Sequence, residues 1–293
     1  MGRYPLFPAY AALAAVCFFW GTTYLGIRMA LEMFPPPMLL SFRFLLSGGI
    51  LLVACKWMNL QFPPLRTVWR SAGNGLMTLG VANGCVTFAE TWVSSGLVAL
   101  FITTAPFWMT GLEAAVPGGQ PLHWPAVAGM AVGFSGVALL VGPDVLGHAS
   151  QGLLSGFLLL QFSNFSWSLG SILQRRLPRD ANSVVTGAIQ QFSAGLAFLL
   201  PALVTHQAPI HFSWRSVGAL CYLIVFGSII GYSAYIYALD RLPVSVVSIF
   251  TYINPVIAVA LGWLVYREPF GFREAEAMRV IFLGVWLVNG WGK

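Results

Sequence analysis

The sequence predicts an all-α membrane protein of about ten transmembrane helices arranged as a five-plus-five inverted repeat. Three observations carry this: the balance of apolar to charged residues, the spacing of apolar stretches along 293 positions, and the correspondence between the two halves of the chain. Hydrophobic residues make up 58% of the chain and charged residues only 8%. Soluble domains run at about 45–50% apolar and about 25% charged, so a water-facing surface of this size would be almost bare of charge. The mean hydropathy of +0.78 agrees. The 11 Trp and 22 Phe suit acyl chains and membrane interfaces.

A span needs about 20 predominantly apolar residues. Such stretches fall near 9–29, 37–56, 71–92, 95–116, 124–142, 152–173, 183–204, 215–238, 243–265 and 274–291. Turn chemistry separates them: Pro35-Pro36-Pro37, Pro63-Pro64, Pro117-Gly118-Gly119, Gly142-Pro143-Asp144 and Pro178-Arg179-Asp180. Only Ser94-Ser95 divides the third stretch from the fourth. The first stretch shows no small-residue cleavage signal and is followed by many more, so it reads as a retained anchor.

The formal net charge of +6 comes from basic residues at the ends of apolar stretches, which is a topology signal and not a nucleic-acid patch. With the N-terminus in the cytoplasm, Arg3, Lys56, Arg66, Arg70, Arg175, Arg176, Arg179, Arg241 and Lys293 fall on that side. Arg28, Arg215, Arg267, Arg273 and Arg279 fall on the other, so both termini are expected inside. Cys17, Cys55, Cys85 and Cys221 lie far apart, with neither disulfide-framework nor zinc spacing. His123, His148, His206 and His211 sit in loops or at span ends without metal-ligand partners. No metal, cofactor or nucleic-acid partner is expected. No nucleophile or carboxylate–histidine pair appears at membrane depth, which argues against an enzyme, and no repeated filter ring suggests a channel. A single copy in the lipid bilayer, acting on a small molecule, is the expectation.

Shifting the chain by about 147 residues brings the halves into register. Phe19-Trp20-Gly21 meets Ser166-Trp167-Ser168, Arg43-Phe44 with Gly48 meets Gln190-Gln191 with Gly195, and Thr104-Ala105-Pro106 meets Ile253-Asn254-Pro255. Near the ends of the halves, Met130, Val132, Phe134, Gly136 and Gly142 meet Met278, Val280, Phe282, Gly284 and Gly290. The expected units are 1–146 and 147–293. An odd number of spans per unit inserts the second upside down relative to the first, an arrangement on which alternating access in many transporters is built.

On these motifs the chain resembles the EamA family of the drug/metabolite transporter superfamily. The residues concerned are Phe19-Trp20-Gly21-Thr22-Thr23-Tyr24 with Ile27, Phe42-Arg43-Phe44, Ala105-Pro106-Phe107, Leu239-Asp240-Arg241-Leu242-Pro243, Asn254-Pro255-Val256 and Tyr266-Arg267-Glu268-Pro269. The resemblance implies ten helices, a central cavity near mid-membrane, and export or exchange of amino acids, related metabolites or drugs. One departure stands out. Val116-Pro117-Gly118-Gly119-Gln120-Pro121 lacks an acidic counterpart of Glu268, so unequal outer contacts are expected in the two halves.

Arg43 lies about six residues inside its span, where a charge costs at least ~2.5–3.5 kcal/mol. Glu90 ends the third span on the same side, so a contact between Arg43 and Glu90 or nearby helix-end carbonyls is expected, with a packing or gating role. Pro106 and Pro255 each remove one backbone hydrogen bond in mid-span, beside Thr103-Thr104 and Asn254. Trp20 and Trp167 are too deep for an interfacial belt. With Tyr24, Tyr232, Tyr235 and Tyr252 they are expected to line a cavity. Asn83, Thr87, Asn164 and Ser228 are costly facing lipid and are expected to face inward, as interhelical bonds or as substrate partners.

Overall fold

The computed structural model describes residues 6–117, 119, 123–146, 151–176, 182–204, 211–242, 244–247 and 249–290. Among these the regular structure is helical throughout, in ten passes. They are α1 (Leu6–Leu31), α2 (Pro36–Trp57), α3 (65–89), α4 (Ser95–Ala115), α5 (Trp124–Leu146), α6 (Gln151–Arg175), α7 (Ser183–Val204), α8 (Trp214–Arg241), α9 (Val244–Val247 and Phe250–Tyr266) and α10 (Phe272–Gly290).

Local chemistry sets the ends. Pro36 and Pro37 open α2, where a missing N–H costs nothing. Arg267 closes α9 in the left-handed region at φ 53°. Within α4 the helix stops at Ile102 and restarts at Ala105, with Pro106 in the new first turn. At Pro106 the lost hydrogen bond becomes a full break: the proline ring would meet the carbonyl four residues earlier, that of Ile102. Pro255 differs, since Phe250–Tyr266 runs through it without interruption. α3 and α8 each contain a π-helical stretch, Leu76–Ala82 and Leu223–Tyr232, at corresponding places in the repeat.

Exposed faces are apolar and buried faces carry polar groups, the reverse of a soluble protein. Phe42, Leu46, Ile50 and Val53 form an exposed stripe down α2, while Ser41, Arg43 and Ser47 are buried. In α7, Leu196, Leu200 and Leu203 are exposed while Gln190 and Gln191 are buried. Five of the passes (α1, α2, α4, α7 and α8) are long and apolar enough to cross a bilayer by composition alone, and Trp124–Leu139 and Phe250–Tyr266 are shorter apolar helices.

The packing reproduces the repeat. The most extensive pairings are α2 with α7 and α5 with α10. α1 packs on α9 and α8, as α6 packs on α4 and α3; α3 packs on α7, as α8 packs on α2; and α4 packs on α9. Exchanging the halves converts each pairing into another or into itself, which is a two-fold relation. Glycines make the tightest crossings possible. A Cβ on Gly48 would strike the backbone of Phe192, and one on its counterpart Gly195 would strike the backbone of Phe44 and Leu45. Gly136 faces backbone atoms of Ala277 and Ile281, and Gly284 those of Gly129 and Gly133.

Candidate functional site

The break in α4 and the π-helical stretches converge on a central cavity of about 720 Å³ of atom-free space, its open mouth included. Its aromatic wall comes from both halves. Trp20 of α1 and Trp167 of α6, related by the repeat, meet edge to face with ring centroids 5.4 Å apart. Phe250 stands edge-on to Trp20 at 5.2 Å. Behind them Tyr235 packs at 5.0 Å from Trp20 and 5.2 Å from Trp167. Edge-to-face contacts of this kind add about 0.5–1.5 kcal/mol each beyond their buried area.

The π-helical stretches supply backbone to this wall. Trp20 Nε1 donates to the Gly227 carbonyl at 3.0 Å. From the other half, Ser163 and Ser166 donate to the carbonyls of Ala82 and Met77, at 2.8 Å each. Wide π turns displace carbonyls from the regular ladder and are frequent at functional sites. Here the flanking helix supplies the donors those carbonyls need.

Two amides tie the helices around the cavity. Asn164 of α6 donates to the Phe101 carbonyl at 3.1 Å and to Thr104 Oγ1 at 2.9 Å, which stitches the break in α4. Asn254 of α9, with its amide turned so that the nitrogen faces two acceptors, reaches the carbonyls of Cys17 and Phe250 at 3.0 Å each. The two ties join equivalent helix pairs, α6 to α4 and α1 to α9, with the amide carried on opposite members.

Arg43 is 4% exposed and lines the same cavity. Its Nε donates to Ser228 Oγ at 2.8 Å and its Nη1 to Asn83 Oδ1 at 3.4 Å, with the guanidinium carbon 5.0 Å from the Phe44 ring centre. The expected Arg43–Glu90 contact is present only as an electrostatic interaction through space, with no hydrogen bond between the two side chains. The guanidinium reaches Ser228 across the repeat boundary, and both carboxylate oxygens of the fully buried Glu90 are without a hydrogen-bond partner. Arg28 Nη1 donates to the backbone carbonyl of Glu90 at 2.5 Å.

At the end of the bundle where Glu90 lies, Glu268 caps α4. Its carboxylate accepts from Ser95 N at 3.0 Å, Ser95 Oγ at 2.9 Å and Gly96 N at 3.0 Å. Glu32 sits 3.7 Å from Arg215 and accepts from the Tyr266 hydroxyl. Half of the segment expected to lack a counterpart of Glu268, at Gly118, Gln120 and Pro121, lies outside the described residues.

Of the residues expected in a cavity, Trp20, Tyr24, Asn83, Asn164, Trp167, Ser228, Tyr232 and Asn254 line this one. The others lie off its lining. Thr87 and Thr103 turn back onto the carbonyls of Asn83 and Leu100, and Thr104 is held by Phe101, Gln161 and Asn164. Tyr235 is hydrogen-bonded to Ser171 behind the tryptophans, Tyr252 packs on Phe282 of α10, and Pro106 and Pro255 are buried within their helices. Sequence reasoning missed Thr23, Phe44, Ser163, Gly227 and Phe250 in the lining. It also missed a buried network beneath: Tyr232 donates to Gln190 Oε1 at 2.5 Å, and Gln174 Oε1 accepts from Gln190 at 2.5 Å and from Asn74 at 3.1 Å. A count of amides inside apolar spans would have flagged the glutamines.

An all-helical bundle with an apolar exterior, a two-fold internal repeat and a largely aromatic and apolar central cavity holding a few polar groups fits a multi-pass membrane transporter. The chain belongs to the EamA-like transporter family, which it matches over residues 7–142 and again over 154–290. It is 32% identical to the inner membrane transporter YedA of Escherichia coli over 97% of this chain and 91% of that one. It is 26% identical to the protein PecM of Dickeya dadantii, over 90% and 86% of the two chains. It is 23% identical to a WAT1-related chloroplastic protein of Arabidopsis thaliana, over 97% and 70%. A crystal structure only 18% identical in sequence superposes with a TM-score of 0.72 over 96% of both chains, a likeness of fold.

Proposed function

We propose that this transporter is a carrier that moves small metabolites, amino acids or related compounds, by alternating access around the central cavity, as an exporter or exchanger. The observation that supports this reading most directly is the origin of the cavity wall. Trp20 and Trp167 meet there from equivalent positions, and the π-helical stretches of α3 and α8 flank them. A site shared by two inverted units is exposed to opposite sides when the units exchange conformations. The units are 1–146 and 147–293, working as a single copy in the cell's inner membrane with both termini cytoplasmic. The excess of Lys and Arg on that side supports the orientation. No reaction is assigned to the site.

The residues proposed to meet substrate are those on the lining: Trp20, Tyr24, Asn83, Asn164, Trp167, Ser228, Tyr232 and Asn254. A second reading, multidrug efflux, draws on the apolar share of the wall, where Phe44, Leu79, Val86, Ile102 and Phe250 join the tryptophans. Counterflow in proteoliposomes tests both. A labelled amino acid should enter faster when unlabelled substrate is trapped inside, and Trp20→Ala should remove the acceleration. Acceleration by structurally unrelated apolar drugs would favour the second reading. Flux without acceleration by any internal solute would overturn the carrier.

A further inference from the structure

We infer that the cavity is an oxyanion site, in which Arg43 docks a carboxylate of the transported molecule while its apolar or aromatic body lies against Trp20, Trp167 and Phe250. The inference rests on the carrier reading above and names its substrate class.

The central fact is a buried cation whose hydrogen-bond partners are both neutral, while Glu90 acts on it only through space. Arg43 is 4% exposed, and Ser228 Oγ and Asn83 Oδ1 account for two of its N–H donors, out of the five a guanidinium carries. Among the described residues no carboxylate makes an ion pair with it. Buried charges are ordinarily paired, because two neutral acceptors do not replace lost hydration. The cavity wall itself holds no Asp or Glu. The one charge on its lining is therefore positive, with Glu90 acting on it through space from off the lining.

Geometry narrows the anion. A planar guanidinium matches a carboxylate through paired N–H donors. The two bonds already made hold the fork in one orientation, so little is lost in ordering it for a ligand. The nearby wall is aromatic, and Trp20 stands edge to face with Trp167 at 5.4 Å and with Phe250 at 5.2 Å. That wall favours a flat or branched apolar body over a second charged group. Arg43 also joins the halves. Ser228 belongs to the π-helical stretch of α8, and Asn83 follows that of α3. A carboxylate bound there touches a group whose partners sit on both mobile units.

The test uses the full chain in lipid nanodiscs and matched probes: phenylacetate, 3-phenylpropionate, their primary amides, phenethylamine and L-phenylalanine. Ligand stabilisation follows the ratio of concentration to Kd, so thermal shifts rank the probes. The carboxylates should bind at least about tenfold more tightly than their amides, in line with one charge-assisted pair, and phenethylamine should give no shift. Arg43→Gln should abolish the difference between carboxylate and amide, whereas Arg43→Lys should keep part of it. Equal affinity of acid and amide in the unmodified chain, or discrimination that survives Arg43→Gln, overturns the inference. If Arg43→Gln does not fold, the acid–amide comparison and Arg43→Lys decide it. Counterflow separates this from the carrier reading. Neutral or cationic solutes exchanged normally by Arg43→Gln would leave a carrier without an anion site. Carboxylates bound through Arg43 but never exchanged would leave an anion site without a carrier.

Discussion

The cap on α4 offers a direct measurement of how the two halves hold each other. Ser94 stands at the N-cap of α4 but makes no side-chain cap bond. Glu268, from the connection after α9, takes that place with bonds to Ser95 N, Ser95 Oγ and Gly96 N. Losing a helix cap costs about 0.5–2 kcal/mol, and losing a negative charge at a helix N-terminus about 0.3–1 kcal/mol. Glu268 is half-buried, so part of the charge is screened by solvent, and roughly 1–3 kcal/mol is expected for Glu268→Ala. Glu268→Gln, which keeps an accepting oxygen, should lose about half of that. At roughly 2–4 °C per kcal/mol for chains of this order, Glu268→Ala should lower the Tm of the detergent-purified protein by about 5 °C. Gly262→Ala supplies an independent route to the same contact. Its Cβ would sit 2.9 Å from the Glu268 carboxyl carbon and 3.1 Å from Ser95 Oγ, displacing the cap. The double variant should lose little more than either single one. Glu276→Ala, which breaks the exposed pair with Arg279, serves as control and should fall within about 1 kcal/mol. A Glu268→Ala protein as stable as that control, or full additivity with Gly262→Ala, would refute the capping argument.

Three further outcomes follow from the packing. Gly48→Ala and Gly195→Ala should each cost about 1–3 kcal/mol by overpacking against backbone, visible as lost monodispersity on size-exclusion chromatography. Gly49→Ala, with nothing within 4 Å of its Cβ, should be neutral or stabilising. Asn164→Ala should lower the Tm by leaving the Phe101 carbonyl and Thr104 Oγ1 without their amide donor, a loss of about 1–3 kcal/mol. Tyr232→Phe, which deletes the hydroxyl shared by Thr78 and Gln190, should cost stability without removing the ring from the cavity wall, so counterflow should survive it.

Much of the architecture was legible because membrane helices obey two constraints at once, length and apolarity, and because a duplication leaves marks in both halves. The pairing of Trp20 with Trp167 is an example: two tryptophans too deep for an interface, at one offset, and in contact in the fold. What was not legible depends on three-dimensional choices that leave no mark along the chain. That Arg43 hydrogen-bonds Ser228, a residue 185 positions away, and not Glu90 is a choice of rotamer. The break at Pro106 in α4 and the unbroken run of Phe250–Tyr266 through Pro255 arise at prolines in equivalent places. No local rule distinguishes them, because the difference lies in what each helix packs against. Thr87 and Thr103 look like cavity hydroxyls in sequence, yet helical threonines readily bond the carbonyl three or four residues back, as these do. The π-helical stretches carry no compositional signature.

The glycine crossings have a consequence for how the protein is made. α2 finds its most extensive partner in α7, and α5 finds its own in α10. A ribosome that has delivered only the first five helices to the bilayer has therefore delivered notches with nothing in them. Gly48 waits for Phe192, and Gly136 for Ala277 and Ile281. The first half cannot mature ahead of the second, and its last notch closes only when nearly the whole chain has left the translocon. Until then the open notches are accessible to any other helix in the membrane. Quality control should accordingly read truncated chains as unfinished at almost every length.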